Sequence, residues 1–339
     1  MSQHSVNVVP VVLEKHPNAD KLSIVRVGGY TVVVNTQDWV DHSLGVYIEP
    51  DYVVPTWYPE FSFLAVPGRN LHRVKCKRLR KIMSMGLLVH APSDAVLGED
   101  LMTYLGVTRY EPPEPGSRGP NQARGPSAEA IPSPSGLISY KYDVENAYRY
   151  SNLLVPGEEV VATEKVHGAN ARYVCVDGIM YCGSRTEWKR ESEGNMWWRA
   201  LNQNSWLELF CKSHPGIVVY GEVFGQVQDL KYGRTGIDFL TFDLLRFGTW
   251  VDHDEAREMG RYLKWVPVLY RGPCDQLKLF AMADGASVVS LTTQIREGIV
   301  VRPVKERVDD HIGRVILKIV SNNYLERAKE PEDGLYSMV

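Results

Sequence analysis

The chain has 339 residues, of which 44% are hydrophobic and 23% are charged, and its formal net charge at pH 7 is −3. This length predicts two domains, each able to bury an ordinary core. The slightly acidic balance argues against a protein that binds nucleic acid through its overall charge, so any such contact must be a local basic patch.

Cysteine use and the lack of apolar segments indicate the cellular compartment. The chain has five cysteines and no CxxC pair, which predicts reduced thiols rather than a disulfide framework or a zinc knuckle. The N-terminus lacks a basic start followed by an apolar core, and no apolar run approaches about 18 residues. We therefore expect a cytoplasmic protein with no membrane partner and no obligate protein partner.

Residues 1–111 are rich in predicted strands. Runs such as VNVVPVVL, LSIVRVGGYTVVV, GVYIEP and GLLVHAP are separated by turn residues, a spacing typical of a small β-barrel or sandwich. HPNADKLSIVRV (residues 16–27) and KRLRKIMSMGLL (residues 77–88) resemble, in the expected order, two segments of the tRNA-binding OB domains attached to some aminoacyl-tRNA synthetases. The resemblance implies an OB-type β-barrel.

The next segment, residues 112–136, reads PPEPGSRGPNQARGPSAEAIPSPSG. Proline, glycine and serine dominate it, and it has no apolar periodicity. Such a composition predicts a linker, so we place the second domain at residues 137–339.

Residues 137–339 mix predicted strands and helices. YVCV and IMYCGS flank an Asp-Gly pair, which predicts a β-hairpin. GIVVYGEVF, IDFLTFDLL, EGIVVRP and RVILKIV predict further strands, whereas residues 191–212 and 252–265 predict helices. The chain as a whole is therefore expected to be of the α+β class.

Six short motifs follow one another along residues 137–339. They are EKVHGAN (Glu164–Asn170), GSRT (Gly183–Thr186), YGEVFG (Tyr220–Gly225), FLTFDLL (Phe239–Leu245), REGIVVRP (Arg296–Pro303) and LKIVSNNY (Leu317–Tyr324). In this order they resemble the nucleotidyltransferase motifs of ATP-dependent RNA ligases, in which Lys-x-His-Gly stands in place of the Lys-x-Asp-Gly of DNA ligases and capping enzymes. The resemblance implies an ATP-grasp-like nucleotidyltransferase domain of antiparallel sheets flanked by helices. With the OB-like domain at the N-terminus, the arrangement resembles the Deinococcus-type nick-sealing RNA ligases.

The resemblance makes Lys165 the nucleophile. Storing AMP on a lysine splits one difficult displacement into two easier ones. A lysine attacks only when it is neutral, and neighbouring cations or a bound metal ion favour the neutral form. We expect Arg185, Lys318 and Mg²⁺ or Mn²⁺ to supply that charge, with ATP as the AMP donor.

Two carboxylates are the candidate metal ligands. Glu222 and Glu297 lie in apolar strand segments, which argues against fully solvated side chains. Magnesium keeps several of its waters, so these residues would hold it directly or through water. By resemblance, Glu222 also contacts the ribose of AMP.

Adenine needs a flat apolar slot. The resemblance assigns Phe242 and Val300 to the two faces of the base, and base–aromatic stacking is worth about 1–3 kcal/mol. It also places Glu164 near the exocyclic amine of adenine, which would favour ATP over GTP, whereas we interpret Asp243 as structural.

His167 and Asn170 complete the first motif. The resemblance assigns them to the steps after adenylylation of the lysine, on the phosphate or on the departing AMP. The alternative is that His167 is an ordinary histidine in a turn.

Two basic clusters are candidates for contacts with RNA phosphates. The first holds five cations in seven residues of the OB-like domain: Lys75, Lys77, Arg78, Arg80 and Lys81. The second adds Lys189 and Arg190 to Arg185. A solvated strand face is the alternative for the first cluster. An A-form duplex is read by shape and 2′-hydroxyls, so little sequence preference is expected.

The sequence therefore predicts an ATP-dependent RNA ligase that seals 3′-OH/5′-phosphate nicks in duplex RNA or an RNA/DNA hybrid through a lysyl-AMP intermediate. One departure is Val320, which stands where the phage-type pattern has a second lysine. Two alternatives stay open: a non-catalytic tRNA- or RNA-binding protein with an OB domain, and another covalent nucleotidyltransferase, either a DNA ligase or a capping guanylyltransferase.

Overall fold

The computed structural model describes residues 4–110 and 129–327. The chain divides into two compact units. The first unit comprises Met1–Pro112, Ala147–Ser151 and Leu325–Val339, and the second comprises Pro113–Asn146 and Asn152–Tyr324.

Short antiparallel strands build the first unit. They are β1 (Val8–Pro10), β2 (Glu14–Lys15), β3 (Leu22–Val27), β4 (Tyr30–Asn35), β5 (Leu44–Ile48), β6 (Tyr52–Pro55), β7 (Leu71–Arg73), β8 (Lys77–Leu79), β9 (Ile82–Ser84), β10 (Leu87–His90) and β11 (Thr108–Arg109). Three of the sheets have the strand orders β1-β5-β10, β11-β6-β7 and β2-β3-β4, and β8 pairs with β9 in a hairpin. Val46, Ile48 and Phe61 lie in one buried cluster, and Val25, Trp39 and Tyr47 lie in another.

Two tight turns in this unit differ in their chemistry. Gly28 and Gly29 join β3 to β4, and a Cβ on Gly29 would lie 2.7 Å from the carbonyl oxygen of Tyr148, so close approach requires glycine there. Arg80 and Lys81 join β8 to β9 with φ of 48° and 75°. Asn-Gly is the usual pair at such left-handed positions, so this turn presents two basic side chains on an unfavourable backbone.

Two larger sheets build the second unit. Its strands are β12 (Ala130–Ile131), β13 (Glu145–Asn146), β14 (Glu159–Glu164), β15 (Gly168–Val176), β16 (Ile179–Gly183), β17 (Trp188–Lys189), β18 (Ile217–Gly225), β19 (Ile237–Arg246), β20 (Thr249–Trp250), β21 (Val268–Pro273), β22 (Gly298–Pro303), β23 (Val308–Asp309), β24 (Gly313–Arg314) and β25 (Leu317–Val320). A seven-stranded sheet has the order β12-β17-β16-β15-β18-β19-β20, and a five-stranded sheet has the order β13-β25-β22-β14-β21.

Five helices accompany these sheets in the described part of the chain. They are α1 (Met196–Gln203), α2 (Ser205–Ser213), α3 (His253–Met259), α4 (Gln276–Met282) and α5 (Asn322–Arg327), the last of which begins in the second unit and ends in the first. None of the described helices has the length and apolar character needed to cross a membrane.

Successive side chains along a strand point to opposite faces of the sheet, so the two faces of the seven-stranded sheet contact different parts of the unit. Tyr173 and Val219 lie in the buried cluster that includes residues of α1 and α2. Their neighbours Val174 and Val218 lie in another cluster, which includes Val300 of β22 in the five-stranded sheet. The seven-stranded sheet is thus covered on both faces, which explains why its strands are almost continuously apolar.

Local structure agrees with the predicted hairpin and differs from the predicted helices. Asp177 and Gly178 form the turn between β15 and β16 with φ of 50° and 79°. The single helix predicted over residues 191–212 is two helices, because Asn204 leaves the helical conformation and its side-chain amide donates to the carbonyl of Ala200 at 2.8 Å. The second predicted helix, α3, ends before Gly260 rather than at residue 265.

The predicted linker lies mostly outside the described residues. Its described end contains β12, which pairs with β17 in the seven-stranded sheet. In the described part of the second unit, the first strand therefore lies within the predicted linker segment.

Candidate active site

Lys165 lies where the chain passes from one sheet to the other. It follows the last residue of β14 in the five-stranded sheet, and β15 of the seven-stranded sheet begins at Gly168. The backbone N–H of Lys165 donates to the carbonyl of Gly298 at 3.0 Å, and its Nζ donates to Oε1 of Glu297 at 2.6 Å. The lysine is thus held at a junction between sheets rather than on a simple hairpin.

Glu222 and Glu297 differ in their electrostatic environments. Burial raises the pKa of Glu222 to about 8, and the neighbouring Glu297 carboxylate adds to this against the opposing charge of Lys165. Burial also acts to raise the pKa of Glu297, but the charges of Lys165 and His167 outweigh it and lower that pKa to about 2. The two neighbouring carboxyl groups therefore have pKa values shifted in opposite directions.

Strand register brings Asn170 beside Glu222. Asn170 on β15 is paired with Glu222 on β18. A Cβ on Gly168 would lie 2.1 Å from the carbonyl oxygen of Val223, so this end of β15 needs glycine to approach β18. The first and third motifs therefore meet along one pair of neighbouring strands.

The imidazole of His167 lies among polar groups from three segments. Its Nε2 is 2.6 Å from Oδ1 of Asp229, and its Nδ1 is 3.4 Å from Oε2 of Glu297. The hydroxyl of Tyr324 lies 3.5 Å from the same Nδ1. The backbone N–H of His167 donates to the hydroxyl of Tyr232 at 2.6 Å.

A hydrated divalent cation fits the oxygen atoms at this site. Oε2 of Glu297 and Oδ1 of Asn170 are buried acceptors without a hydrogen-bond partner in the described part of the chain. Glu222 supplies a further carboxyl group opposite Asn170. No group of three or more His, Cys, Asp or Glu side chains suited to a metal ion occurs among the described residues. This donor set suits Mg²⁺ or Mn²⁺, which keep several waters, better than a fully protein-ligated ion.

Phe242 and Val300 belong to one apolar cluster between the two sheets, and both are only partly buried. The ring centroid of Tyr142 lies 4.4 Å from that of Phe242, so a second aromatic side chain supports the first. Lys318 on β25 is paired with Val300 on β22. Partly buried apolar side chains beside a cation suit the binding of a nucleotide.

Glu164 is buried, and its carboxylate is held by residues that the sequence motifs did not include. The hydroxyl of Ser287 donates to Oε1, and the backbone N–H of Val288 donates to Oε2 at 2.8 Å. Burial raises the pKa of Glu164 despite these hydrogen bonds.

Asp243 is fully buried in a network of charges. It accepts a hydrogen bond from the hydroxyl of Tyr142 at 2.6 Å, contacts Arg302, and lies 2.8 Å from an Nη of Arg314. The two arginines outweigh the effect of burial and lower the pKa of Asp243. These contacts fit the structural interpretation of Asp243 and tie β19 to the five-stranded sheet.

The second basic cluster divides into exposed and buried members. Arg185 forms an ion pair with Asp143 at 3.0 Å, with both side chains about two-fifths exposed. Arg190 is exposed, whereas Lys189 is buried and lies 2.6 Å from the carboxylate of Glu187. The prediction that Lys189 contacts RNA directly is therefore wrong, because its ammonium group is buried inside the unit and paired with Glu187.

The first basic cluster is mostly exposed. Lys77, Arg78, Arg80 and Lys81 are exposed on the β8–β9 hairpin, and Lys75 is half-buried. Arg78 forms an ion pair with Glu326 within the first unit.

Two family models match the chain, one in each of its two units. Residues 158–320 match the RNA ligase family model, and residues 5–91 match an OB-fold domain model. These matches confirm the predicted N-terminal OB fold and show that the second unit contains a segment similar to RNA ligases. No match was found among curated protein sequences.

Solved structures of Naegleria gruberi RNA ligase share the fold. A variant solved with ATP and manganese has a TM-score of 0.77 and 22% identity, with 95% of this chain and 98% of that chain covered. The enzyme with pyrophosphate has a TM-score of 0.76 and 23% identity over 96% and 99% of the chains. A variant with AMP and manganese has a TM-score of 0.77 and 22% identity over 95% and 98%. The predicted order, an OB domain followed by a sheet-rich domain, is confirmed.

Proposed function

We propose that the protein is an ATP-dependent RNA ligase of the nick-sealing type. The observation that carries the proposal is the position of Lys165: its amine lies at a junction of two sheets and donates to Glu297. The RNA ligase family match over residues 158–320 supports the same reaction class. The Deinococcus-type subgroup, suggested by domain order, is part of this proposal.

In the first step, the lone pair of Lys165 Nζ attacks the α-phosphorus of ATP. A phosphorus–nitrogen bond forms, the bond from the α-phosphorus to the bridging oxygen breaks, and pyrophosphate leaves. Before this step Nζ must give up its hydrogen bond to Glu297 and lose a proton. Phe242 and Val300 stack on adenine, Glu164 faces its amine edge, and Arg185 and Lys318 balance phosphate charge.

Glu222, Glu297 and Asn170 would hold Mg²⁺ or Mn²⁺, in part through water. When bound, the cation supplies positive charge that neutralises phosphate oxygens as negative charge develops. Structures of the Naegleria enzyme contain ATP or AMP with manganese, which supports this choice of cofactors.

In the later steps, AMP passes from Lys165 to the 5′-phosphate of a nicked strand, and the neighbouring 3′-hydroxyl then displaces it. His167 and Asn170 contact the transferred phosphate or the departing AMP. Arg190 and the exposed residues of the β8–β9 hairpin, with Lys75, track the phosphates of duplex RNA or an RNA/DNA hybrid.

Covalent labelling tests the first step. The protein is incubated with α-labelled ATP or GTP and a divalent metal, and the label that remains after denaturation is measured. ATP should label the wild type and not Lys165→Ala. Label retained by Lys165→Ala, or no label with any nucleotide, would contradict the proposal, and labelling by GTP alone would indicate a capping guanylyltransferase.

A second experiment tests the RNA specificity. Two nicked duplexes are compared that differ only in whether the strand with the 3′-hydroxyl ends in ribonucleotides or deoxyribonucleotides. Faster sealing of the RNA-ended nick is expected. Equal sealing of both would remove the RNA-specific part of the proposal while leaving the adenylylation chemistry intact.

A further inference from the structure

We infer that the loop of residues 226–233, which follows β18, positions the imidazole of His167 for the later steps, and that Asp229 is the positioning residue for the ring. The inference rests on the proposed function, which assigns His167 to those steps. It adds a segment that lies outside the six sequence motifs.

Three side chains of this loop contact two consecutive residues of the first motif. The side-chain amide of Gln228 donates to the carbonyl of Gly168. The hydroxyl of Tyr232 accepts the backbone N–H of His167 at 2.6 Å. Oδ1 of Asp229 lies 2.6 Å from Nε2 of the imidazole. The backbone on both sides of the ring, and the ring itself, are therefore held by one short segment.

The loop is anchored on the C-terminal side of Asp229. Leu230 and Tyr232 are fully buried. Tyr232 has a φ of 56°, a left-handed conformation that is a true outlier for a bulky side chain. Its N–H donates to the side-chain oxygen of Gln294 at 3.2 Å, and its carbonyl accepts from Leu291 at 3.0 Å. Such strain persists only where the surroundings fix the residue, and it is often found at functional sites.

Asp229 differs from the other carboxylate near the ring. The Glu297 side chain is 11% exposed and also binds Lys165, whereas the Asp229 side chain is 56% exposed. Oδ1 of Asp229 lies 2.6 Å from Nε2 of the buried ring, and no hydrogen bond is formed by that nitrogen in the described part of the chain. The contact is therefore electrostatic. In this arrangement Glu297 binds the lysine and the metal, and Asp229 contacts Nε2 of the ring.

The test separates the three chemical steps in the full-length protein. Adenylylation of Lys165 is measured with α-labelled ATP, and the final step is measured by sealing a nick whose 5′-phosphate already carries AMP. The variants are Asp229→Ala, Asp229→Asn and His167→Ala, with Asp310→Asn as a control at an exposed aspartate of the same unit. Thermal unfolding of each variant is recorded alongside.

Asp229→Ala should keep adenylylation close to that of the wild type and slow the sealing of the preadenylylated nick by about tenfold to a hundredfold, the loss expected for a misplaced catalytic group. Asp229→Asn can still accept a hydrogen bond and should recover part of that rate. Asp310→Asn should leave both steps unchanged. Because Asp229 acts through His167, the double variant His167→Ala/Asp229→Ala should seal no more slowly than His167→Ala.

Three outcomes would overturn the inference. One is an unchanged sealing rate in Asp229→Ala, and another is equal loss of adenylylation and sealing at an unchanged unfolding temperature. The third is additive loss in the double variant. Failure of the proposed function looks different: wild-type protein would then give no Lys165-dependent label.

Tyr232→Phe provides an independent variant of the same loop. It removes the hydroxyl that accepts the His167 N–H and keeps the buried ring. Slower sealing with retained adenylylation supports the inference even if Asp229→Ala is unstable. Normal sealing by Tyr232→Phe, together with normal sealing by Asp229→Asn, contradicts it.

Discussion

Lys165 and Glu297 meet because two neighbouring antiparallel strands are in register. β14 pairs with β22 so that Glu164 lies opposite Ile299. Lys165 follows the first strand and Glu297 precedes the second, which places Nζ 2.6 Å from Oε1. A nitrogen that donates to a carboxylate is not free to attack, so this contact must part when ATP binds.

Substitution of Glu297 tests the importance of this carboxylate. Glu297→Gln keeps the shape of the side chain but removes the charge that would hold the metal. We expect lysine adenylylation to fall by about a hundredfold, the usual effect of removing one electrostatic group from an active site. The initial rate of labelling with α-labelled ATP at several manganese concentrations measures it. Glu193→Gln, at an exposed glutamate of the same unit, is the matched control, and labelling at the wild-type rate by Glu297→Gln would refute the assignment.

The adenine slot is tested at Phe242. Phe242→Ala removes a stacking surface worth about 1–3 kcal/mol, so the ATP concentration for half-maximal adenylylation should rise about fivefold to more than a hundredfold. Phe242→Tyr should restore most of the affinity. Phe247 is 76% exposed and provides a control substitution to alanine. An unchanged ATP dependence in Phe242→Ala would place the base elsewhere.

The buried charge of Asp243 is predicted to dominate the stability of the second unit. Asp243→Ala removes the fully buried carboxylate that Arg302 and Arg314 share and leaves them only the carboxylate of Glu306. Breaking a buried pair costs about 3–5 kcal/mol, and urea unfolding should show a loss of this size. Asp310→Ala, at an exposed position, should change stability by less than about 0.5 kcal/mol. A loss below about 1 kcal/mol at Asp243 would mean that solvent reaches the arginines.

His253 predicts a specific dependence of stability on pH. Burial and the charge of Arg302 lower the pKa of His253 to about 4, whereas an unfolded histidine titrates near 6.5. Above pH 6.5 both states are neutral and the residue adds no pH dependence. As the pH falls from 6.5 towards 4, the unfolded state binds a proton that the folded state does not, so stability decreases by up to about 1.4 kcal/mol per pH unit. In His253→Asn, unfolding free energies measured between pH 7 and pH 4 should show a shallower slope; an unchanged slope would contradict the prediction.

The turn of the β8–β9 hairpin predicts opposite effects on stability and RNA affinity. Replacing Arg80 and Lys81 by Asn-Gly should relieve the left-handed backbone and stabilise the first unit by about 1 kcal/mol or more. It should also weaken binding to nicked duplex RNA and reduce the slope of log affinity against log salt by up to about 2. Lys21→Ala, at an exposed lysine of the same unit, should change the slope less. Unchanged RNA affinity at all salt concentrations would mean that Arg80 and Lys81 do not contact RNA.

Sequence reasoning identified the motifs that supply the site more completely than it identified the residues around them. Lys165, Glu222 and Glu297 could be proposed from the sequence because each lies in a distinctive short segment. Asp229 and Tyr232 were missed because neither belongs to such a segment, and their contacts to His167 depend on how a loop folds back across 62 or more residues. Ser287 was missed for the same reason, since it meets Glu164 only in the folded chain.

The exposure of individual side chains was hard to predict from the sequence. Lys189 and Arg190 are neighbours of the same charge, yet Lys189, the last residue of β17, is buried beside Glu187, whereas Arg190 follows the strand and is exposed. Asn204 likewise interrupts a stretch with helical periodicity, because its side chain caps the preceding helix. Neither outcome follows from residue type alone, since both depend on which neighbour is within reach.

By itself the sequence determined the local chemistry: which segments form strands, where Asp177 and Gly178 turn the chain, and which side chains can attack, carry charge or stack. These follow from backbone preferences and functional groups within a few residues. Only the tertiary structure decided that Lys165 meets Glu297 across 132 residues of chain, that Asp243 is enclosed by two arginines, and that Asp229 reaches His167. The physical reason is that these contacts arise from strand register and from two sheets packing together, and both are set by the summed burial of many apolar residues rather than by any short motif.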